Sequence, residues 1–436
     1  MNARRVQATV PANDHPRLDR RAALGFVAAA GLAAAPGTPR ADASGRAGPA
    51  IAALRLLLDR NILPFWRRVC TQTSTEGYEL SIDAAGVPLA PPANRGLILQ
   101  ARTTFFFSRL ARSRYGRRSD LAIATRGFEF LTKRMWDEAN DGFYTEAAPA
   151  RPYAPTVRTK QLVGHAHALS AVSEYALAAP STDTRAWADL VADKIDERFR
   201  VAAEGEYIDA LNEDWTGTPP AVRGYNARFR LLDALTSYHA LQVAGGSSER
   251  RQRARDRLAE AVSISDEALI STPAAHYFRA STAPQGATRV TYNADLQVVH
   301  QLRRARAALG LPDRAEYSLV IDDALKYGED SLLGGIHVAG NPGQPADDLY
   351  KLGFAQAETL LGTCDSWVRT GEDAHWKAFW RTLRWILRNQ ADWALGDWHP
   401  SIPAGHPATT KASPFHPGRA VLYSLELLDG LPSDRG

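Results

Sequence analysis

The sequence predicts an all-α protein of about twelve helices closed into a ring of six hairpins, an (α/α)6 barrel. Three observations carry this prediction. Apolar residues recur at i, i+3, i+4 and i+7 along most of the chain, the period of a helix with one buried face. Short connections alternate with long ones of roughly 20 to 30 residues. Alternate helices are rich in apolar and small residues, while those between them are charged, as an inner and an outer ring require.

The first 43 residues stand apart from this pattern. Arg20 and Arg21 precede an alanine-rich apolar run that ends near Ala41-Asp42-Ala43, the layout of a twin-arginine export signal. The run is too short to cross a bilayer, which takes roughly 20 residues. Residues 44–436 are therefore expected to form a single domain that works in the periplasm or outside the cell.

Within that domain the periodicity predicts helices over 48–70, 95–113, 118–138, 159–179, 183–199, 223–244, 249–269, 292–310, 313–328, 350–371, 373–395 and 417–430. Turn signals separate them: Asn140-Asp141-Gly142, Thr216 to Pro220, Gly245-Gly246, Gly334-Gly335 and Asn341-Pro342-Gly343. The segments 159–179, 292–310 and 350–371 read as inner helices, and 249–269 and 373–395 as outer ones. An open helical solenoid is the competing arrangement. The closed ring is preferred because polar motifs sit at the starts of the apolar helices. The long connections should then gather on one rim, where function sits.

Charge excludes some partners. The chain carries 52 basic and 48 acidic residues. Setting the first 43 aside leaves 46 against 45, scattered rather than clustered, which gives no support for nucleic acid or for a membrane surface beyond the export step. Two cysteines, Cys70 and Cys364, are too few for a disulfide framework and are expected as small core residues, with one bridge left open. No glycine-rich phosphate loop and no metal-binding spacing is visible, so neither cofactor nor metal is expected. His165 and His167, two apart on a helix, point in different directions.

Five polar segments are hard to explain as core. Arg102 stands just before Phe105-Phe106-Phe107 on an apolar helix, where its guanidinium needs an acceptor. Asn226 and Arg230 share one helical face four residues apart. Tyr292-Asn293-Ala294-Asp295 opens an apolar helix, although Asn293 there also suits an N-cap. Lys351 and Glu358 flank the start of another apolar helix. His416 and Arg419 begin the last one, after a turn held by Pro414 and Pro417.

Together these segments resemble the N-acylglucosamine 2-epimerase family, which includes cellobiose 2-epimerases and mannose or sulfoquinovose isomerases. The resemblance runs from about Leu58 to Leu431. The family's Gln-Ala-Arg followed by aromatics is matched by Gln100 to Phe107. Its Gly-Phe-Tyr turn and Lys-x-x-Tyr-x-x-Ala-Phe-Ala-Leu read here as Gly142-Phe143-Tyr144 and Lys160 to Leu169, with His167 at the phenylalanine. Its Arg-Gly-x-Asn segment matches Arg223 to Ala234, its Lys-x-x-Trp-x-Gln-Ala-Glu matches Lys351 to Glu358, and its closing motif matches Lys411 to Arg419. Two departures stand out: Arg230 replaces a histidine, and Ala294 replaces one of the two histidines that move the C2 proton.

The resemblance implies a small-molecule sugar as partner, a monomer or homodimer, and proton transfer beside a sugar carbonyl, with His416 as the acid/base. Arg102, Asn226, Arg230, Tyr292, Lys351, Glu358 and Arg419 are expected to line one pocket. With Ala294 unable to carry a proton, His165, His167, Tyr292 and His276 are candidate substitutes, and Asp295 is a further candidate for the site. Three arginines suit an acidic sugar through paired hydrogen bonds. The alternative is a barrel that binds or cleaves carbohydrate by other means, for which paired carboxylates would be the mark. Asp214, Asp295, Glu358 and Asp397 are available, and no pair stands out by spacing.

Overall fold

The computed structural model describes residues 43–72, 76–201, 205–217, 224–281, 289–405 and 411–431. The predicted export signal, up to Asp42, lies outside the described residues, as do Arg223 and the end of the predicted turn at Thr216 to Pro220.

Among the described residues, twelve helices form where the apolar period places them. The outer ones are α1 (Ala43–Leu57, continuing through a π-helical turn Leu58–Ile62 into Leu63–Thr71), α3 (Arg118–Phe130), α5 (Thr182–Lys194), α7 (Ser248–Glu267), α9 (Ala315–Gly328) and α11 (Asp373–Trp385). The inner ones are α2 (Leu97–Arg112), α4 (Leu162–Ala178), α6 (Tyr225–Val243), α8 (Tyr292–Leu309), α10 (Gly353–Thr370) and α12 (Phe415–Asp429). Composition explains the sorting. Every residue of α4 from Gly164 to Ala176 is buried, as a helix surrounded on all sides must be. Helix α7 instead buries a single stripe around Ala254, Leu258, Ala261 and Val262 and turns its charges to solvent.

Each inner helix packs against the next, and α12 packs back against both α1 and α2. That last contact closes the ring and excludes the open solenoid. It depends on Gly418: a Cβ there would come within 2.5 Å of the Phe106 ring, so a side chain would push α12 away from α2. Cys70 and Cys364 are both buried and unpaired, as core residues.

Direction follows from connection length. Outer helices hand over to inner ones through the long segments 72–96, 136–161, 200–224, 268–291, 329–352 and 391–414. The returns, such as 113–117 and 371–372, are short. All six inner helices therefore run parallel, with their N-termini at one rim. None of the six has a side-chain N-cap, so their dipoles leave that rim electropositive.

The rim is stitched by short antiparallel pairings between successive long segments. Arg95–Gly96 pairs with Glu146–Ala147, Lys160–Gln161 with Ala210–Leu211, Val290–Thr291 with Ala339–Gly340, and Lys351–Leu352 with Ser401–Ile402. A bridge joins Gly224 to Ser281. The circuit closes where Lys411 Nζ donates to the Ala84 carbonyl at 2.9 Å.

Candidate active site

A repeated device fixes the start of each inner helix. Lys160 is fully buried against Asp137 (2.7 Å), Lys351 donates to Asp330 (2.7 Å) and the Gly334 carbonyl (2.7 Å), and Lys411 donates to Asp392 (2.9 Å) and the Gly396 carbonyl (2.8 Å). Arg95, beside Glu79, holds the matching place before α2. Five residues after Arg95, Lys160 and Lys351 comes a side chain that grips the backbone of the preceding long segment. Gln100 accepts from Tyr78 N–H (2.9 Å) and donates to its carbonyl (2.8 Å), and Gln356 does the same to Ile336 (2.9 and 2.8 Å). His165 Nε2 accepts from Phe143 N–H at 2.9 Å while its Nδ1 meets the Gln161 carbonyl at 2.8 Å. Arg228 and Asp295 hold the same position on α6 and α8, gripping the Tyr207 carbonyl (3.0 Å) and Phe278 N–H (2.9 Å).

This device corrects several expectations. Lys351 is a rim anchor engaged by Asp330, not a substrate ligand. His165 and Asp295 are backbone clamps rather than proton carriers. Tyr292 is buried against Gly328 and Gly340, with its hydroxyl 3.4 Å from the Gln344 carbonyl, so it packs under the rim and not in the pocket. His276 is held by Asp323 (2.9 Å) in the 268–291 connection. Asn226 lies on the face of α6 that carries Arg230, one turn nearer the rim, and is exposed there.

Two residues past a clamp, a helix has turned about 200°, so the next side chain faces the axis. Those positions hold Arg102, His167, Arg230, Gln297 and Glu358. On α12 the order changes. His416 occupies the clamp position but grips no long segment; its Nδ1 lies 2.7 Å from Glu358 Oε1. Arg419 Nη2 donates to both oxygens of Glu358 at 2.6 Å. Arg102 Nε donates to His167 Nε2 at 3.3 Å. Phe415 is the floor between them: the guanidiniums of Arg102 and Arg419 lie 5.0 and 4.9 Å from its ring, with His167 at 5.6 Å and His416 at 5.1 Å.

The electrostatics follow from three guanidiniums sharing one carboxylate, Glu358. Burial by itself would raise the Glu358 carboxyl, but Arg419 and His416 outweigh it and hold it at about 2, ionised. Burial is the largest cause that lowers His416, to about 4; the bond to Glu358 opposes it, and Arg102 and Arg419 reinforce it. His416 is neutral at pH 7, with its Nδ1 proton committed to Glu358 and its Nε2 lone pair left to act on a substrate. Burial and the neighbouring Arg102 and Arg230 keep His167 well below its ordinary value too. Arg230 Nη1 and Arg419 Nε and Nη1 are buried without a partner among the described residues. The nearest acid on α6, Asp233, is already taken by Arg304 at 2.8 Å.

Such a donor set repels a cation. Among the described residues, Asp322, Glu372 and His375 do come within 4.8 Å of one another, but they belong to the outer helices α9 and α11 and their margin.

Residues 77–269 match the family model described as N-acylglucosamine 2-epimerase. The chain resembles that family. The cellobiose 2-epimerase of Dictyoglomus turgidum is 24% identical over 85% of this chain and 96% of its own length. Among solved structures, the cellobiose 2-epimerase of Spirochaeta thermophila has a TM-score of 0.75 at 21% identity, covering 88% of this chain and 98% of that one. A D-mannose isomerase has a TM-score of 0.71 at 17% identity, covering 86% and 97%. These comparisons show a likeness to carbohydrate-acting epimerases and isomerases and bear out the barrel fold. What the family's motif signals is divided by the structure: Gln100, Gln356 and the three lysines build the rim, whereas Arg102, Glu358, His416 and Arg419 build the centre. Sequence reasoning missed that division, although the recurring five-residue spacing between cation and clamp was present to be found.

Proposed function

We propose that this site moves a proton on the carbon beside the carbonyl of an open-chain sugar, with His416 as the base. The observation that carries the reading is the chain of contacts Arg419–Glu358–His416. Glu358 fixes the histidine's tautomer and orientation, and a neutral imidazole near the axis is the kind of base that α-proton abstraction needs. Arg102, Arg230 and Arg419 stand ready to stabilise the oxyanion of an enediolate. Their surplus of positive charge, together with the electropositive rim, favours a sugar that carries an acidic substituent. Ala294 offers no proton where related chains have a histidine, which favours isomerisation between C1 and C2 over two-base epimerisation. The arginine pair and apolar run within residues 1–43 support an enzyme that acts after export.

Cleavage of a glycosidic bond is disfavoured. It needs a carboxylic acid that stays protonated beside the substrate; Glu358 is pinned in the ionised form, and the two carboxyls that burial pushes up furthest, Asp295 and Asp397, are held away from it by Phe278 N–H and by Trp66. Incubating neutral and acidic aldoses and ketoses with the enzyme in heavy water tests the proposal. Deuterium should enter at C1 or C2 of at least one sugar, and His416→Asn should slow that entry on the order of 10²-fold or more with the fold retained. No label in any sugar, or full activity in the variant, would overturn it.

A further inference from the structure

Four residues were candidates to replace the proton carrier missing at Ala294. The structure ties three of them down elsewhere: His165 to Phe143, Tyr292 beneath the rim and His276 to Asp323. His167 alone faces the axis. It is buried on α4, in the ring position that Arg102 occupies on α2, Arg230 on α6 and Glu358 on α10. Resting on the sugar chemistry proposed above, we infer that His167 is a second catalytic residue, which relays a proton between the two reacting oxygens of the substrate.

The geometry favours a relay over a second carbon base. Both imidazoles lie against the ring of Phe415, at 5.6 and 5.1 Å, but the acceptor nitrogen of His167 is already engaged by Arg102, so this ring can hand over a proton and has no lone pair left to take one from carbon. Arg102 donates to His167 Nε2, which leaves the ring proton on Nδ1. The step balances without a co-reactant. His416 Nε2 takes the proton from C2, the C–H pair becomes the C1=C2 bond, and the carbonyl pair moves to O1, which receives the Nδ1 proton of His167. Arg102 and its neighbouring guanidiniums stabilise the imidazolate so formed. The 2-hydroxyl then returns its proton to His167 while its oxygen forms the new carbonyl, and C1 takes the proton held by His416. Both histidines are restored.

The test compares two rates in heavy water, deuterium exchange at C2 and net conversion of aldose to ketose, for wild type, His167→Phe and His167→Asn. A ring-for-ring exchange at a buried site should leave the melting temperature close to that of wild type. Conversion should fall on the order of 10²-fold with KM little changed, and the ratio of exchange to conversion should rise, since His416 still removes the proton. A wild-type ratio in both variants would overturn the relay while leaving the proposed function intact. Absence of any exchange by wild type would remove both.

Discussion

The fifth and sixth inner helices begin in the same way and end in different roles. Lys351 and Gln356 before and within α10, and Lys411 and His416 before and within α12, share a five-residue spacing, and both lysines anchor the aspartate of the preceding long segment. Gln356 then spends both polar atoms on the backbone of Ile336. His416 makes no such grip and is free to hold Glu358. A fold that clamps five of its inner helices can release the sixth, because α12 has other constraints: Gly418 against Phe106, Phe415 under the arginines, and the Lys411 anchor. The proposed base here occupies the place that its neighbours use for structure.

Changing Glu358 should have the largest effect on that contrast. Glu358→Gln exchanges the carboxylate that fixes His416 for a neutral amide and leaves Arg419 facing no charge, and turnover should fall on the order of 10²-fold. The acid side of the kcat/KM profile sharpens this test. His416 is depressed to about 4 among Glu358 of α10, Arg102 of α2, His167 of α4, Arg230 of α6 and Arg419 of its own helix, so the wild-type rate should hold down to about pH 4 before protonation removes the base. Because Glu358 opposes that depression, the variant's acid limb should lie lower still; a limb that rises towards 6.5 would contradict the geometry. The same sign applies to stability. A histidine with a depressed folded value favours the fold fully above its ordinary 6.5, and that contribution fades as the pH falls towards 4.

Gln356→Ala probes the other half of the comparison. It leaves the buried N–H and carbonyl of Ile336 without their partners, at about 1 to 3 kcal/mol each, so chemical denaturation should show the loss while turnover per folded molecule changes little. A variant with unchanged stability and lost turnover would mean that the two helices do not differ as described. Lys351→Met should do least: Asp330 is partly solvated, and about 2 kcal/mol of stability is the expected cost, with KM for the sugar unaltered. A large rise in KM would return Lys351 to the pocket.

Much of the architecture was legible in the chain. The twelve described helices form on the segments that periodicity marks, most within a few residues of the expected ends, while α3 and α11 close in π-helical turns at Met135 and Gln390, short of 138 and 395; burial of an apolar stripe is a local, repeating requirement that sequence spacing records directly. Arg102, Arg230, Glu358, His416 and Arg419 were also identifiable, each being a charged or titratable group on an apolar helix that needs a partner. Lys351, Tyr292, His165 and Asp295 have the same local appearance and fell on the other side.

Their difference is rotational and long-range. A side chain at one position of an inner helix meets the incoming long segment, and one two residues later meets the axis; the sequence lists both as polar residues at the start of an apolar helix. Sequence alone determined the helices, their order, the alternation of rings and the chemistry on offer. Only the tertiary structure decided which polar groups are consumed by rim backbone and which face one another across the axis, because closing the ring sets the rotation of every inner helix at once through contacts between residues as distant as Phe106 and Gly418.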